Sequence, residues 1–204
     1  MMTFPHRFAL RAGESIGQPV YQVRQVHGAG VVVVHGGESV EEVRRIEADA
    51  LIAAGGGVFV GVRTADCVPA LLEDAEAGLC AATHGGWRGL VAGVLEATVD
   101  RLVDLGADAG RIRVALGPCI GPCCFEVGEE VAERFETAHI RAGRARPYVD
   151  LRAAAKSRLL AVGVRHIAAD APCTRCDPAG YYSYRRDGAG TPHHLHVIGV
   201  PGGR

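Results

Sequence analysis

Short apolar runs separated by glycine-containing turns organise most of the chain. Runs rich in β-branched or small apolar residues predict strands, and they lie at 20–26, 31–35, 48–54, 58–62, 68–72 and 79–82. Further strands are predicted at 111–116, 164–168 and 195–200. Strands that alternate with helical segments are typical of an α/β domain with mixed sheets.

Three segments are predicted to form helices, and the first of them carries apolar residues at helical spacing. Residues 90–105 form the clearest helix, and Gly106 is a suitable C-terminal cap. A short helix is predicted at 129–138. Another is predicted at 150–162, where Asp150 is a suitable N-cap. No linker or internal repeat divides the sequence, so we expect one domain over residues 1–204.

Three polar or irregular stretches connect these elements. Residues 39–47 are charged and are expected on the surface, and residues 117–128 read as a shaped loop because they hold two prolines and three glycines. Residues 173–190 predict a long polar and aromatic connection.

Composition excludes several classes of protein. With 204 residues, 48% hydrophobic content and a net charge of −1, the chain gives no electrostatic case for a nucleic-acid or membrane partner. Residues 1–15 lack the apolar core of a signal peptide, and no run approaches the ~20 apolar residues of a membrane span. We therefore expect a cytoplasmic monomer or small homo-oligomer whose seven cysteines are free thiols or metal ligands.

His27, Cys67 and His84 each follow a predicted strand and precede a glycine or proline. Two imidazoles and one thiolate suit zinc, and three protein ligands leave the fourth position that catalytic zinc needs. The spacing carries no local metal signature. Cys67 could equally be a nucleophile with either histidine as its base. The residues alone leave both interpretations open.

Several charged residues are candidates for anion binding or proton transfer. A guanidinium matches phosphate oxygens, which applies to Arg11, Arg88, Arg185 and Arg186. Most arginines are surface charges, but Arg88 lies beside His84 in sequence. Asp66 and Glu126 could transfer protons, and Asp66 could equally cap a turn.

Two further clusters are expected to be structural. The residues alone favour Cys173 and Cys176 as small buried side chains in a loop, because no second Cys-x-x-Cys exists. The cluster His193, His194 and His196 is expected at a partly exposed strand edge.

Seven motifs in order along the chain resemble the YfiH laccase-domain family, whose members are called polyphenol oxidases and purine nucleoside phosphorylases. They are QVHG (25–28), ADAL (48–51), TADCVP (64–69), HGGWRG (84–89), GPCIGPCCFEVG (117–128), CTRCDP (173–178) and YYSYRRDG (181–188). The resemblance implies a layered α/β/β/α fold and a zinc ion on His27, Cys67 and His84. It also implies phosphorolysis of adenosine and inosine, with methylthioadenosine phosphorolysis and adenosine deamination as further activities.

Two departures from the family pattern affect the expected substrate contacts. The segment before QVHG is shorter than in the family, and Thr191, Pro192, His193 and His194 stand where members often have Thr-Gly-Arg. We expect Cys67, His84, Asp66 and Arg88 to be catalytic. We expect substrate and phosphate to contact Arg11, Arg88, Arg186, Cys119 and Phe125.

Three other functions remain open. One is a Cys67-dependent hydrolase that edits peptidoglycan precursors. Another is a copper-dependent, laccase-like oxidase, although such an enzyme needs many histidines in His-x-His pairs and this chain has nine with one pair. The last is a zinc-stabilised fold with a binding role.

Overall fold

The computed structural model describes residues 1–11 and 13–202. Its strands are β1 (His6–Leu10), β2 (Val20–Tyr21), β3 (Val31–Val34), β4 (Ala50–Ala53), β5 (Phe59–Thr64), β6 (Val68–Asp74), β7 (Leu79–Gly85), β8 (Arg113–Leu116), β9 (Ile140–Arg141), β10 (Tyr148–Val149), β11 (His166–Ala168) and β12 (His194–Gly199). Its helices are α1 (Val40–Val43), α2 (Trp87–Ala92), α3 (Val94–Asp104), α4 (Glu129–Ala132), α5 (Leu151–Ala161) and α6 (Tyr184–Asp187), with a 3₁₀ helix at Thr137–His139. Within these described residues no helix is long and apolar enough to cross a bilayer.

Two mixed sheets form the centre of the fold. The larger sheet has the order β11-β8-β6-β7-β4-β3, and the smaller has the order β1-β12-β5-β2. In the larger sheet β3 is parallel to β4 and β11 to β8, whereas the central strands are antiparallel. Strands β9 and β10 form a separate antiparallel pair. The prediction of a mixed α/β fold with mixed β-sheets is confirmed.

Each face of the larger sheet packs into its own core. In β4, Ala50 and Ile52 belong to the core that the sheet shares with α3 and α5, whereas Leu51 and Ala53 belong to the core that it shares with the smaller sheet. Since both faces are buried, these strands read as continuous apolar runs in the sequence. The layers are therefore helices, larger sheet and smaller sheet, with α1 beside β2.

Several predicted elements have different bounds in the structure. The strand expected at 20–26 ends at Tyr21, because the following backbone turns away and Val26 donates its N–H to Asp49. The helix expected at 90–105 starts at Trp87 and breaks at Gly93, which has a left-handed φ of 88°. The helix expected at 129–138 is only one turn long and ends at Ala132.

The small sheet contains an element that hydrophobic patterning missed. Strand β1 pairs antiparallel with β12, so β12 lies between β1 and β5. The expectation of an exposed edge at 193–196 is therefore wrong for His194 and His196, which are each 1% exposed. Inside the expected connection at 173–190, Ser183 caps the short helix α6.

Candidate metal centre and active-site cavity

His27, Cys67 and His84 meet at one end of the larger sheet. Cys67 immediately precedes β6 and His84 lies near the end of β7, and the antiparallel pairing of Pro69 with His84 brings both to the same end. His27 comes from the turn after β2 and its ring centroid is 4.7 Å from that of His84. One potential ligand atom from each of the three residues lies within 4.8 Å of the others.

Asp49 holds two of these three residues in place. Its carboxylate is 0% exposed and accepts the Nδ1–H of His84 at 2.7 Å, which leaves Nε2 of that ring as the nitrogen free to bind a ligand. The same carboxylate accepts the backbone N–H groups of Val26, His27 and Gly28. These contacts support the left-handed φ of 60° at His27. Asp49 lies in the ADAL motif (48–51) and was not predicted as a site residue. The available signal was an acidic residue at the start of a buried strand.

Gly86 provides the space in which the three side chains approach one another. A Cβ at this position would lie 2.7 Å from Cδ2 of His27 and 3.2 Å from Sγ of Cys67. The cradle of two imidazole groups and one thiolate fits a zinc ion with one open position.

The electrostatics of the group favour an ionised thiolate. Burial alone would raise the pKa of Cys67, but His84 and His27 lower it to about 6. Burial would lower the pKa of His84, but the Cys67 thiolate and Asp49 raise it to about 9. Burial would also raise the pKa of Asp49, yet the hydrogen bonds from His84 and the Gly28 N–H hold it below its usual value. Both shifts favour transfer of the thiol proton of Cys67 to the His84 imidazole, next to the Asp49 carboxylate.

A cavity of about 670 Å³ opens over the metal-ligand group. This volume lies within the range of about 300–1,000 Å³ that is usual for small-molecule sites. Its wall includes apolar surface from Ile120, Phe125 and Tyr184, and two guanidinium groups from Arg63 and Arg185. The loops at 117–128 and 181–186 thus both contribute to the wall. A second cavity of about 550 Å³ lies along β1 and has none of the metal-ligand residues in its wall.

The two arginines of the wall are positioned differently. Arg185 lies over the Phe125 ring, with its guanidinium carbon 5.2 Å from the ring centroid, and its Nη1 donates to the Glu126 carbonyl at 2.7 Å. Arg63 donates its Nε–H to Gln22 at 2.8 Å and is part of the cavity wall. Arg185 was predicted as an anion-binding candidate. Arg63 was not, because it directly follows the apolar run at 58–62.

Asp66 lines the same cavity, and both oxygens of its carboxylate accept hydrogen bonds. It accepts the hydroxyl groups of Thr174 and Ser183 and the backbone N–H of Arg185 at 2.7 Å. These contacts cap α6 and tie it to the start of β6, and the backbone of Asp66 has an unusual φ of 91°. The structure thus gives Asp66 the capping role, while proton transfer by this residue stays a prediction.

Four other expected site residues lie outside the cavity wall. Arg11 donates to the Ala179 carbonyl, and the exposed Arg88 lies 4.4 Å from the Trp87 ring centroid. The Arg186 guanidinium bonds Asp187 and the carbonyls of Thr174 and Tyr181, which makes it a brace for the loop. Cys119 is 0% exposed and accepts a hydrogen bond from Arg152 at 3.2 Å. In the part of the chain that the structure describes, none of these four side chains lines the cavity.

The second His and Cys clusters also differ from expectation. His196 accepts the Ala9 N–H at Nδ1 and bonds the Thr64 hydroxyl through Nε2, while Nε2 of His194 accepts the Tyr182 N–H. The expectation that Cys173 and Cys176 are buried is wrong, because Cys173 is half-buried and Cys176 is exposed. With Cys123 and Cys124 they form a group whose sulfur atoms all lie within 4.8 Å of one another.

Comparison with known proteins shows which family, relatives and solved structures this chain is similar to. Residues 6–201 match the family described as multi-copper polyphenol oxidoreductase laccase. A purine nucleoside phosphorylase of Deinococcus radiodurans is 40% identical over 186 residues, which are 88% of this chain and 70% of that protein. Adenosine deaminase RL5, from an unknown prokaryotic organism, is 38% identical over 180 residues, which are 81% of this chain and 69% of that protein. The fold also matches a Bacillus licheniformis protein named YfiH, with a TM-score of 0.83 and 24% identity over 89% of this chain and 74% of that one.

Proposed function

This chain belongs to the laccase-like YfiH family, and from that membership and its cavity we propose that it is a zinc-dependent purine nucleoside phosphorylase. Adenosine and inosine are the proposed substrates, with methylthioadenosine as a further one. The observation that carries the proposal is the joint presence of a metal-ligand group, an aromatic wall and two guanidinium groups in one cavity. The names of the relatives from Deinococcus radiodurans and RL5 support a nucleoside substrate.

His27, Cys67 and His84 are the proposed zinc ligands. When bound, zinc supplies a Lewis acid that polarises a substrate oxygen. Asp49 keeps Nε2 of His84 directed at the site, and the Asp49-bound turn fixes the His27 backbone. These contacts orient two of the three proposed ligands.

The cavity wall suggests where each part of the substrate binds. A purine base is flat and apolar on its faces, so it would pack against Phe125 and Tyr184. Phosphate is an anion whose oxygens match guanidinium groups, so it would bind between Arg63 and Arg185. Arg11, Arg88 and Arg186 stay predicted phosphate ligands, but their observed positions give them less support.

Phosphorolysis needs an oxygen of phosphate in line with the bond between the sugar and the purine. An oxygen of phosphate forms a bond to the anomeric carbon of the sugar while the bond from that carbon to the purine nitrogen breaks. The electron pair leaves with the purine, which takes up a proton, and the sugar carries positive charge in the transition state. Fixed donors that hold phosphate against that carbon therefore lower the barrier.

One observation favours a second candidate function. The thiol of Cys67, the imidazole of His84 and the carboxylate of Asp49 lie in a row, with 2.7 Å between Nδ1 of His84 and the Asp49 carboxylate. This arrangement resembles that of cysteine hydrolases. In that case the Cys67 thiolate would attack an acyl carbon of a cell-wall precursor without any metal. The bond from that carbon to its amine leaving group would break as the His84 imidazolium protonates the amine, and water would then hydrolyse the thioester.

The copper oxidase has less structural support. The sole His-x-His pair, His194 and His196, is buried and three of its four ring nitrogens already make hydrogen bonds. In the described residues, the potential metal ligands gather only as the cavity group and the four-cysteine group. Neither offers the many histidines of a multicopper cluster.

The decisive experiment measures phosphate-dependent release of free base. Zinc-loaded protein is incubated with adenosine or inosine, with and without phosphate, alongside Cys67→Ala and His84→Ala. Cys80→Ala is the matched control, because Cys80 is a buried cysteine in β7 outside the cavity wall. We expect phosphate-dependent turnover that both site variants abolish and the control retains.

Other outcomes separate the alternatives. Ammonia release from adenosine without phosphate would make deamination the main reaction. Metal-independent turnover of a peptidoglycan precursor, lost after thiol alkylation, would support the Cys67 hydrolase. No nucleoside turnover in protein with full metal content would refute the phosphorylase proposal for this chain.

A further inference from the structure

Four cysteines form a second group, separate from that of His27, Cys67 and His84. Cys123 and Cys124 belong to the loop at 117–128, and Cys173 and Cys176 follow β11. The Sγ of Cys176 lies 3.6 Å from that of Cys123 and 3.3 Å from that of Cys124, and all four sulfurs lie within 4.8 Å of one another. We call them the four-cysteine group.

The sulfur separations match metal ligation better than a disulfide. Sulfurs bonded to each other are about 2.05 Å apart. A tetrahedral ion with Zn–S bonds of about 2.3 Å holds its sulfurs about 3.8 Å apart, and zinc with four cysteines is a usual structural site. The observed separations of 3.3 and 3.6 Å are close to that value.

We propose that the four-cysteine group is a second, structural metal site that binds one zinc ion. It is a closed site, because four protein ligands fill the tetrahedron and leave no position for substrate. It differs in this respect from the cavity group, which has three ligands and borders a cavity.

Contacts around the sulfurs resemble the outer shell of a thiolate site. The Gly121 N–H donates to Sγ of Cys173 at 3.1 Å, and Nη1 of Arg175 donates to Sγ of Cys124 at 3.5 Å. Such donors stabilise thiolate ligands and orient them. Arg175 also offsets part of the negative charge that four thiolates bring.

The backbone brings the two cysteine pairs together before a metal binds. Thr174 donates its N–H to the Cys119 carbonyl at 3.0 Å, which joins the two segments. Gly121 allows the close approach, since a Cβ there would lie 3.2 Å from Cβ of Cys173 and 3.3 Å from Sγ of Cys123. The ligands are therefore preorganised on two segments far apart in sequence.

The proposed ion would stabilise the loops that form part of the cavity wall. Phe125 follows Cys124 directly, and Thr174 follows Cys173 and donates its hydroxyl to Asp66. Asp66 in turn precedes Cys67 and caps the segment that carries Arg185. A metal bound by the four-cysteine group would hold these loops at fixed positions relative to the cavity.

The test counts zinc ions per chain by elemental mass spectrometry. Full-length protein is purified with a reductant, together with Cys176→Ser, His84→Ala and the double variant, and circular dichroism checks their folding. We expect Cys176→Ser to lose one zinc equivalent whether or not His84 is intact. The control Cys80→Ala changes a cysteine outside both groups and should keep the full count.

Cobalt binding gives a second measurement that does not depend on Cys176→Ser. His84→Ala removes a ligand of the cavity group, so cobalt added to this variant should still give the thiolate charge-transfer bands and the strong visible bands of a tetrahedral site. If Cys176→Ser does not fold, Cys123→Ser takes its place, because Cys123 is another exposed cysteine of the group. This change should abolish the cobalt bands.

Two results would overturn the proposal. One is an unchanged zinc count in a folded Cys176→Ser chain. The other is a disulfide within the four-cysteine group in protein purified with reductant and without added oxidant. Both readouts are independent of turnover, so failure of the phosphorylase proposal would leave this one standing.

Discussion

Replacing Asp49 with asparagine tests how the metal ligands are positioned without removing any of the three ligands. The carboxylate is 0% exposed and accepts hydrogen bonds from His84 and from three successive N–H groups at 26–28. Asparagine keeps the shape of the side chain, but its amide nitrogen would face N–H groups that need an acceptor. The variant therefore leaves donors unpaired around the ligand group.

The size of the effect follows from these contacts. Hydrogen bonds to charged groups contribute about 1.5–3 kcal/mol each, so losing one or two should lower the free energy of unfolding by roughly 3 kcal/mol. Loss of a residue that orients a metal ligand usually weakens metal affinity about 10–100-fold. A competition titration against a chromogenic zinc chelator measures the affinity, and denaturant unfolding measures the stability.

Glu73→Gln is the matched control for this prediction. Glu73 is also 0% exposed and accepts backbone N–H groups, from Thr3 and Phe4, but it lies at the other end of β6. We expect Glu73→Gln to lower stability while zinc affinity at the cavity group stays unchanged. Wild-type zinc affinity in a folded Asp49→Asn chain would refute the positioning role of Asp49.

Three further predictions concern space, pH and charge. Gly86→Ala should weaken zinc binding at least tenfold in the same titration, because its Cβ would meet His27 at 2.7 Å, whereas Gly37→Ala, with open space around it, should change nothing. Burial lowers the pKa of His196 to about 3, so below pH 6.5 the unfolded chain binds a proton at this imidazole more tightly than the folded chain does. The free energy of unfolding should therefore fall by roughly 1.4 kcal/mol per pH unit as pH drops below 6.5. In denaturant unfolding between pH 7 and 4, His196→Gln should lose less stability than the wild type. Arg185→Ala should raise the KM for phosphate at least tenfold, and the same change at the exposed Arg165, outside the cavity wall, should leave it unaltered; equal effects would contradict phosphate binding by Arg185.

Local patterns were sufficient for much of the larger sheet. Its strands β4, β6 and β7 were predicted from continuous apolar runs, because both of their faces pack into cores. The helix at 150–162 was also predicted, since Asp150 caps α5 through the N–H of Ala153. Such signals lie within a few residues of the element that they specify.

Turns and short elements needed more than local patterns. The strand at 20–26 looked longer than it is, because nothing in its own residues shows that Asp49 draws Val26 away from the sheet. Strand β1 carries little hydrophobic alternation, and its pairing with β12 is what buries His194 and His196. Competition between distant partners decided these segments.

The sequence by itself determined the types of most strands and the identity of His27, Cys67 and His84 as a candidate ligand set. Only the tertiary structure showed that Asp49 orients that set, that Arg63 and Arg185 face the cavity, and that Arg186 braces a loop instead. It also gathered four cysteines that lie in two segments far apart in the chain. The physical reason is that periodicity and capping act between near neighbours, whereas the environment of a charge or a thiol depends on residues that only folding brings into contact.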